Sequence, residues 1–143
     1  MKPKEFIDKL DEARVVAAIA AAERKSSGEI RVYISHKQRE DALAAAKARF
    51  LSLGMNKTRH RNAVLIYVAP RTHKFALWGD IAVHEKCGES FWQQITSSMT
   101  PLLQSGRVTE AIEQAIKEVG DVLARHFPRE PGDRNELPDD LAE

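Results

Sequence analysis

The sequence predicts an α/β fold, a small mixed sheet with helices on both faces, in the order α-β-α-β-β-α-α. Three observations carry that reading. Apolar residues recur at helical spacing before, between and after three strand-like runs. The middle run, AVLIYVAP (63–70), is apolar without interruption, as a central strand covered on both faces is. The connections also differ in length. A whole helix separates the first two strands and suits a parallel, right-handed crossover, whereas a turn at 70–72 joins the second to the third and makes them antiparallel.

The first helix is expected over residues 4–25, because Phe6, Leu10, Ala13, Ala17 and Ala20 fall on one face. Ser26-Ser27-Gly28 stops it. EIRVYIS (29–35) alternates, with Ile30, Val32 and Ile34 on one side and Arg31 and Tyr33 on the other. The next helix carries Leu43, Ala46, Phe50 and Leu53 and ends at Gly54, a left-handed cap. After the basic loop MNKTRHR and the central run, KFALWG (74–79) alternates as a peripheral strand does. Beyond Asp80 the helical stripe is Phe91, Ile95, Met99 and Leu102, with a kink expected at Pro101. The last helix turns Ile112, Ile116, Val119 and Leu123 inward and ends before Phe127-Pro128.

At 143 residues the chain suits one α/β domain, 1–127, followed by an acidic, proline-containing tail, 128–143. A chain of this size buries roughly 68–70% of the surface it exposes when unfolded, so it needs no covalent staple. The lone Cys87 allows no internal disulfide and reads as a structural thiol. Net charge is +1, which gives no bias toward nucleic acid or an anionic membrane. The tail alone holds six acids (Glu130, Asp133, Glu136, Asp139, Asp140, Glu143) against Arg129 and Arg134.

The longest apolar runs fall well short of the ~20 residues of a membrane-spanning helix. VVAAIAAA stands where the core of a secretory signal would, but Glu5, Asp8, Asp11 and Glu12 precede it, where such a signal is basic. A cytoplasmic protein is therefore expected, with the sequon Asn56-Lys57-Thr58 idle.

This topology gathers Glu29, Arg61, Asn62, Gly79 and Asp80 at one edge of the sheet, and Ser35, His36, Arg71 and His73 at the other. Together SSGEIRVYIS, TRHRNAVLIYVAP, KFALWGD, ESFWQQI and FPREPGDRNELPDD resemble the TPM domain family. That family is typified by a SGEIRV-like strand, an RNGVL-like strand and a third strand ending in GD. The resemblance spans nearly the whole chain and is nearest to a short stand-alone bacterial branch with an NELPD-like tail.

The resemblance implies a three-layer α/β/α sandwich. It also implies a range of roles: plant thylakoid members are associated with photosystem repair and phosphatase activity, others are membrane-tethered, and some bind divalent cations. Two departures stand out. Ala63 replaces the glycine that often follows the asparagine, which restricts close backbone approach. Ile81-Ala82-Val83-His84 replaces a glycine-rich loop after the third strand.

Each chemical reading has a structural counterpart. Glu29 and Asp80, with Glu85 or Glu89, supply the oxygen ligands that Ca2+ or Mg2+ requires, and such a cation would hold a phosphate. The counterpart is that Glu29 pairs with Arg61 while Asp80 caps the helix after it, which is favoured because no dense acidic loop is present. Arg61 and Asn62, with Gly79 and His84 at the same edge and Lys57, Arg59 and His60 nearby, suit a phosphate or carboxylate. The basic loop lacks the interleaved aromatic residues of a nucleic-acid site.

His84 and Cys87 have the spacing of half a zinc site, without the other half. There is no G-x-S-x-G elbow, P-loop or G-x-G-x-x-G. The opposite edge, with His36, Arg71 and His73, ranks second as a ligand site.

Three functions remain open from sequence. One is a binding module for a protein partner or anionic ligand, with or without a divalent cation. The second is a slow metal-assisted phosphatase acting on phosphomonoesters, in which Asp80 and Glu29 hold the metal and Arg61 neutralises the phosphate. The third is docking through the NELPDD tail as a linear motif.

Overall fold

Asp11 opens the first helix, its carboxylate accepting the Arg14 backbone N–H at 3.2 Å and so satisfying one donor that the helix itself cannot. The computed structural model describes residues 10–35, 41–69 and 74–129. Helix α1 (Glu12–Glu23) begins at that cap rather than running through Leu10 and Asp11 as its periodicity suggested; Phe6 lies outside the described residues. Its inward face also differs from the expected one. Val15 and Ile19 are buried, whereas Ala13 and Ala17 are exposed. In so apolar a helix the larger side chains decide the rotation, because they remove more surface from water.

Strand β1 (Glu29–Ile34) pairs in parallel with β2 (Ala63–Ala69), and β2 pairs antiparallel with β3 (Lys74–Gly79), giving the order β1-β2-β3. Every residue of β2 is buried, as its unbroken apolar run requires. Between β1 and β2 lie α2 (Ala42–Ser52) and a single 3-10 turn, Met55–Lys57. Ala42, Ala46 and Phe50 face inward, while Leu43 is 52% exposed and so leaves the predicted stripe. Gly54 adopts the left-handed conformation (φ 71°) expected of a residue just past a helix end.

The region after β3 is two helices, not one. Helix α3 (Ile81–Cys87) is separated from α4 (Glu89–Gln104) by Gly88 at φ 73°. The break therefore falls at the residue that tolerates positive φ, while Pro101 sits inside α4. The buried stripe of α4 is Trp92, Ile95, Met99 and Leu103 rather than one led by Phe91. Gly79 makes room for this: a Cβ there would lie 3.1 Å from the Trp92 ring and 2.9 Å from Val83 Cγ1. Trp92 thus covers the third strand.

Helix α5 (Val108–His126) presents Ile112, Ile116, Val119 and Leu123 inward, as its periodicity predicts. Residues of α1, α4 and α5 join Ile30, Val32, Ile34, Val64, Ile66 and Val68 in one core. On the opposite face, Ala42, Ala46 and Phe50 of α2 join Tyr33, Leu65 and Tyr67 in a second. Helices therefore cover both faces. After α5 the chain stays attached for a short distance: Pro128 bridges to Ser26, and Arg129 Nη1 donates to the Glu23 carbonyl at 2.9 Å.

Candidate functional site

The β1–β2 register sets Glu29 opposite Ala63, and the β2–β3 register continues to Asp80, whose N–H donates to the Ala63 carbonyl at 2.9 Å. Glu29 and Asp80 consequently flank Ala63 on either side. At the usual strand spacing their backbones are about 10 Å apart. Both are buried. The expected gathering of polar residues at this end of the sheet is what the topology produces.

The pairing within it differs from expectation. Arg61 engages Asp80 rather than Glu29, through two parallel bonds: Nε to Oδ2 at 2.7 Å and Nη2 to Oδ1 at 2.9 Å. Asp80 Oδ1 also accepts the Ile81 N–H at 2.8 Å, capping α3 as the sequence suggested. The carboxylate holds the Arg61 guanidinium above its ordinary pKa, first through the hydrogen bonds and then through charge.

Arg61 itself has φ 52°, the one non-glycine residue with positive φ among those described. A left-handed conformation is uncommon for a side chain of this type and persists where surrounding contacts over-determine it. Here the bidentate bond and the Ala82 N–H, which donates to the Arg61 carbonyl at 3.2 Å, do so. The side chain remains 48% exposed. Nε and one Nη2 hydrogen are spent on Asp80, leaving three of its five donor hydrogens for another acceptor.

Beside it is a cleft of about 300 Å³ between α2, the end of β3 and α3, lined in part by Lys47, Asn56, Arg61, Trp78, Asp80 and His84. Lys47 Nζ lies 5.5 Å from the Trp78 ring centroid, and the His84 ring meets Trp78 edge-on with centroids 5.0 Å apart. Three cationic or ionisable nitrogen groups and one amide therefore line one cleft with an aromatic ring, and the carboxylate of Asp80 is already committed to Arg61. Such a cleft suits an anionic group.

Of the other sequence candidates only Gly79 stays with it among the described residues. Asn62 is buried, and its amide donates to Ser27 Oγ at 3.0 Å, tying β2 to the loop before β1. Gly79 lines the cleft through its backbone. Glu85 is exposed on α3, and the Glu89 side chain, His36, Arg71 and His73 lie outside the described residues. Among the described residues no three His, Cys, Asp or Glu side chains cluster to hold a metal. Burial pushes the Cys87 thiol above its ordinary 9.0, opposed by the nearby Arg125, as fits a structural thiol.

Sequence reasoning passed over Lys47, Asn56 and Glu23. Lys47 stands on the exposed side of α2, and only the crossing of α2 over β3 brings it to Trp78. Glu23 is buried at the end of α1, where its Oε2 accepts the Ile30 N–H at 2.9 Å.

The sheet order, the helices on both faces and the Arg61–Asp80 end define an α/β domain of a known kind. The TPM domain family matches residues 1–122, and the chain belongs to it. Among solved structures, the BA42 protein from the psychrophilic bacterium Bizionia argentinensis is similar at 31% identity. That likeness has a TM-score of 0.83 and covers 92% of this chain and 90% of that one. The N-terminal domain of a protein from P. gingivalis shares the fold at 15% identity and a TM-score of 0.59, over 91% of this chain and 98% of that one. No curated protein matches the sequence. No helix among the described residues is long and apolar enough to cross a membrane.

Proposed function

We propose that this TPM domain is a binding module that takes an anionic group, a phosphate or a carboxylate, in the cleft formed by Lys47, Arg61, Trp78 and His84. The observation that carries the reading is Arg61: a residue in left-handed backbone, clamped by a buried aspartate, with its remaining donors turned to a cleft that holds a second cation. Conformational strain at a charged, half-exposed residue is a pointer to function. The clamp fixes the guanidinium before a ligand arrives, which lowers the ordering cost of binding.

The second reading, a divalent cation held by Glu29 and Asp80 with slow hydrolysis of phosphomonoesters, draws on the two buried carboxylates at the same sheet end. It requires Asp80 to exchange Arg61 for the ion. One experiment separates the two. Inorganic phosphate is titrated calorimetrically into wild type and Arg61→Gly, with and without Ca2+ or Mg2+, and p-nitrophenyl phosphate turnover is measured on the same samples. Glycine accepts the backbone conformation at 61, so the variant removes the guanidinium without backbone strain; urea unfolding of the same sample reads the cost of leaving the buried Asp80 carboxylate without its counter-ion. Phosphate binding that is independent of metal and lost in Arg61→Gly supports the binding module. Binding and turnover that appear only with metal support the phosphatase. Metal-free binding that survives in Arg61→Gly removes Arg61 from the site.

A further inference from the structure

A groove runs beside the anion cleft, and its shape indicates a class of partner. It has a volume of about 460 Å³ and is lined by four consecutive residues of β3, Phe75 to Trp78. Successive strand side chains point to opposite faces, and here Phe75 and Leu77 belong to one core while Ala76 and Trp78 pack with the other. Four consecutive residues line one groove only if it follows the outer edge of the strand.

That edge carries hydrogen-bonding groups in a definite register. The Asp80 N–H bonds to Ala63, so antiparallel alternation turns Trp78, Ala76 and Lys74 toward β2. The N–H and C=O groups of Phe75, Leu77 and Gly79 then point outward. Among the described residues no strand lies on that side.

From these features we infer that β3 accepts an extended peptide of a partner protein as an added strand, with an acidic residue at the end that meets Lys47 and Arg61. The inference rests on the anion-binding reading for that one end. The remainder is independent of it. Trp78 and His84 line both the groove and the cleft, so the two are continuous. Exposed Lys74 stands at the opposite end of the strand, and the groove wall on α4 is neutral, with Gln93, Thr96 and Ser97. No described acid lines the groove, and the one in the cleft is held by Arg61; this charge pattern fits a peptide with an acidic end at Lys47 and Arg61.

The alternative occupant, a second copy of β3, is disfavoured by recess. Phe75 and Leu77 are only 8% and 4% exposed, with Leu43 rising on one side and α4 on the other. Two such edges would have to approach to about 4.8 Å for strand pairing, and these walls stand between them. A single extended chain enters where two sheets do not. Trp92 Nε1, buried in the α4 wall with no hydrogen-bond partner among the described residues, supplies a further donor to that chain.

The test begins by selecting from a library of random heptapeptides against the full chain. Enriched sequences are synthesised with both ends blocked, unmodified or N-methylated at alternate amides. Apolar residues at alternate positions and one terminal Asp or Glu are expected. N-methylation on the strand-facing edge should weaken binding at least tenfold, and the bound peptide should slow hydrogen exchange at Phe75, Leu77 and Gly79. Leu43→Ser, at an exposed rim position, should weaken the peptide severalfold while leaving inorganic phosphate binding unchanged.

An empty selection, or peptides that tolerate methylation on both edges and leave those three amides unprotected, overturns the inference. Phosphate binding with an empty selection leaves the anion site standing alone. Peptide binding without phosphate binding leaves the strand site standing and removes the anion site.

Discussion

Where α1, α4 and α5 cover the sheet, the buried set is almost wholly aliphatic, and the helices close over it from three directions. Where α2 alone covers it, Tyr33 and Tyr67 stack at 5.5 Å, and two cations lie over aromatic rings: Lys47 on Trp78 and Arg49 on Tyr33, the latter at 4.6 Å. The difference follows from width. One helix of this length does not span a three-stranded sheet, so its flanks are finished by long amphipathic side chains that keep their charged ends in water. Those same flanks leave the anion cleft and the β3 groove open. The thick face holds the larger core, and the two proposed sites open along the margin of the thin one.

The sharpest way to break this contrast is Phe50→Ala, which empties the one large fully buried side chain that α2 contributes. A loss of about 3–5 kcal/mol is expected for such a truncation, read by urea unfolding. A much smaller loss would mean that the thin face contributes little to the fold. Gly79→Ala tests the boundary between the faces. Its Cβ would press on Val83 at 2.9 Å and Trp92 at 3.1 Å, and overpacking of this kind costs about 1–3 kcal/mol. A neutral result would show that Trp92 is free to move off the strand.

Asp80→Ala should cost about 1 kcal/mol through the lost cap of α3. It should also weaken phosphate binding by loosening Arg61, and a neutral outcome in both would reduce Asp80 to a bystander. Smaller still is the pH effect of Cys87, packed against the aliphatic core. Its folded pKa lies above the ordinary 9.0, so its contribution is fully present below that value and is lost as pH rises through the folded one. The check is alkylation by iodoacetamide at pH 8, which should be slower in the folded protein than in urea. Leu43→Ser, on an exposed rim, should change stability by no more than about 0.5 kcal/mol.

Much of this was legible in the residues. Strand identities, their parallel and antiparallel connections, the inward stripe of α5 and the role of Asp80 as a cap all follow from period, connection length and local hydrogen-bonding chemistry. These are properties of neighbouring residues. The stripes of α1 and α4 were misplaced because alanine-rich or mixed apolar helices present more than one face to choose from. For α4 the choice was made by Gly79, which lies on another element and leaves a hollow for the Trp92 ring. Likewise, the partner of Arg61 was a matter of which acid the β2–β3 turn returned to it.

By itself, then, the sequence determined an α/β order, a central strand buried on both faces and a polar end to the sheet, because each depends on local periodicity and turn chemistry. Only the tertiary structure decided that Arg61 bonds to Asp80, that Lys47 reaches Trp78 across the thin face, and that the outer edge of β3 lies in an open groove. Those outcomes depend on crossing geometry between segments far apart in the chain, on which local patterns carry no information.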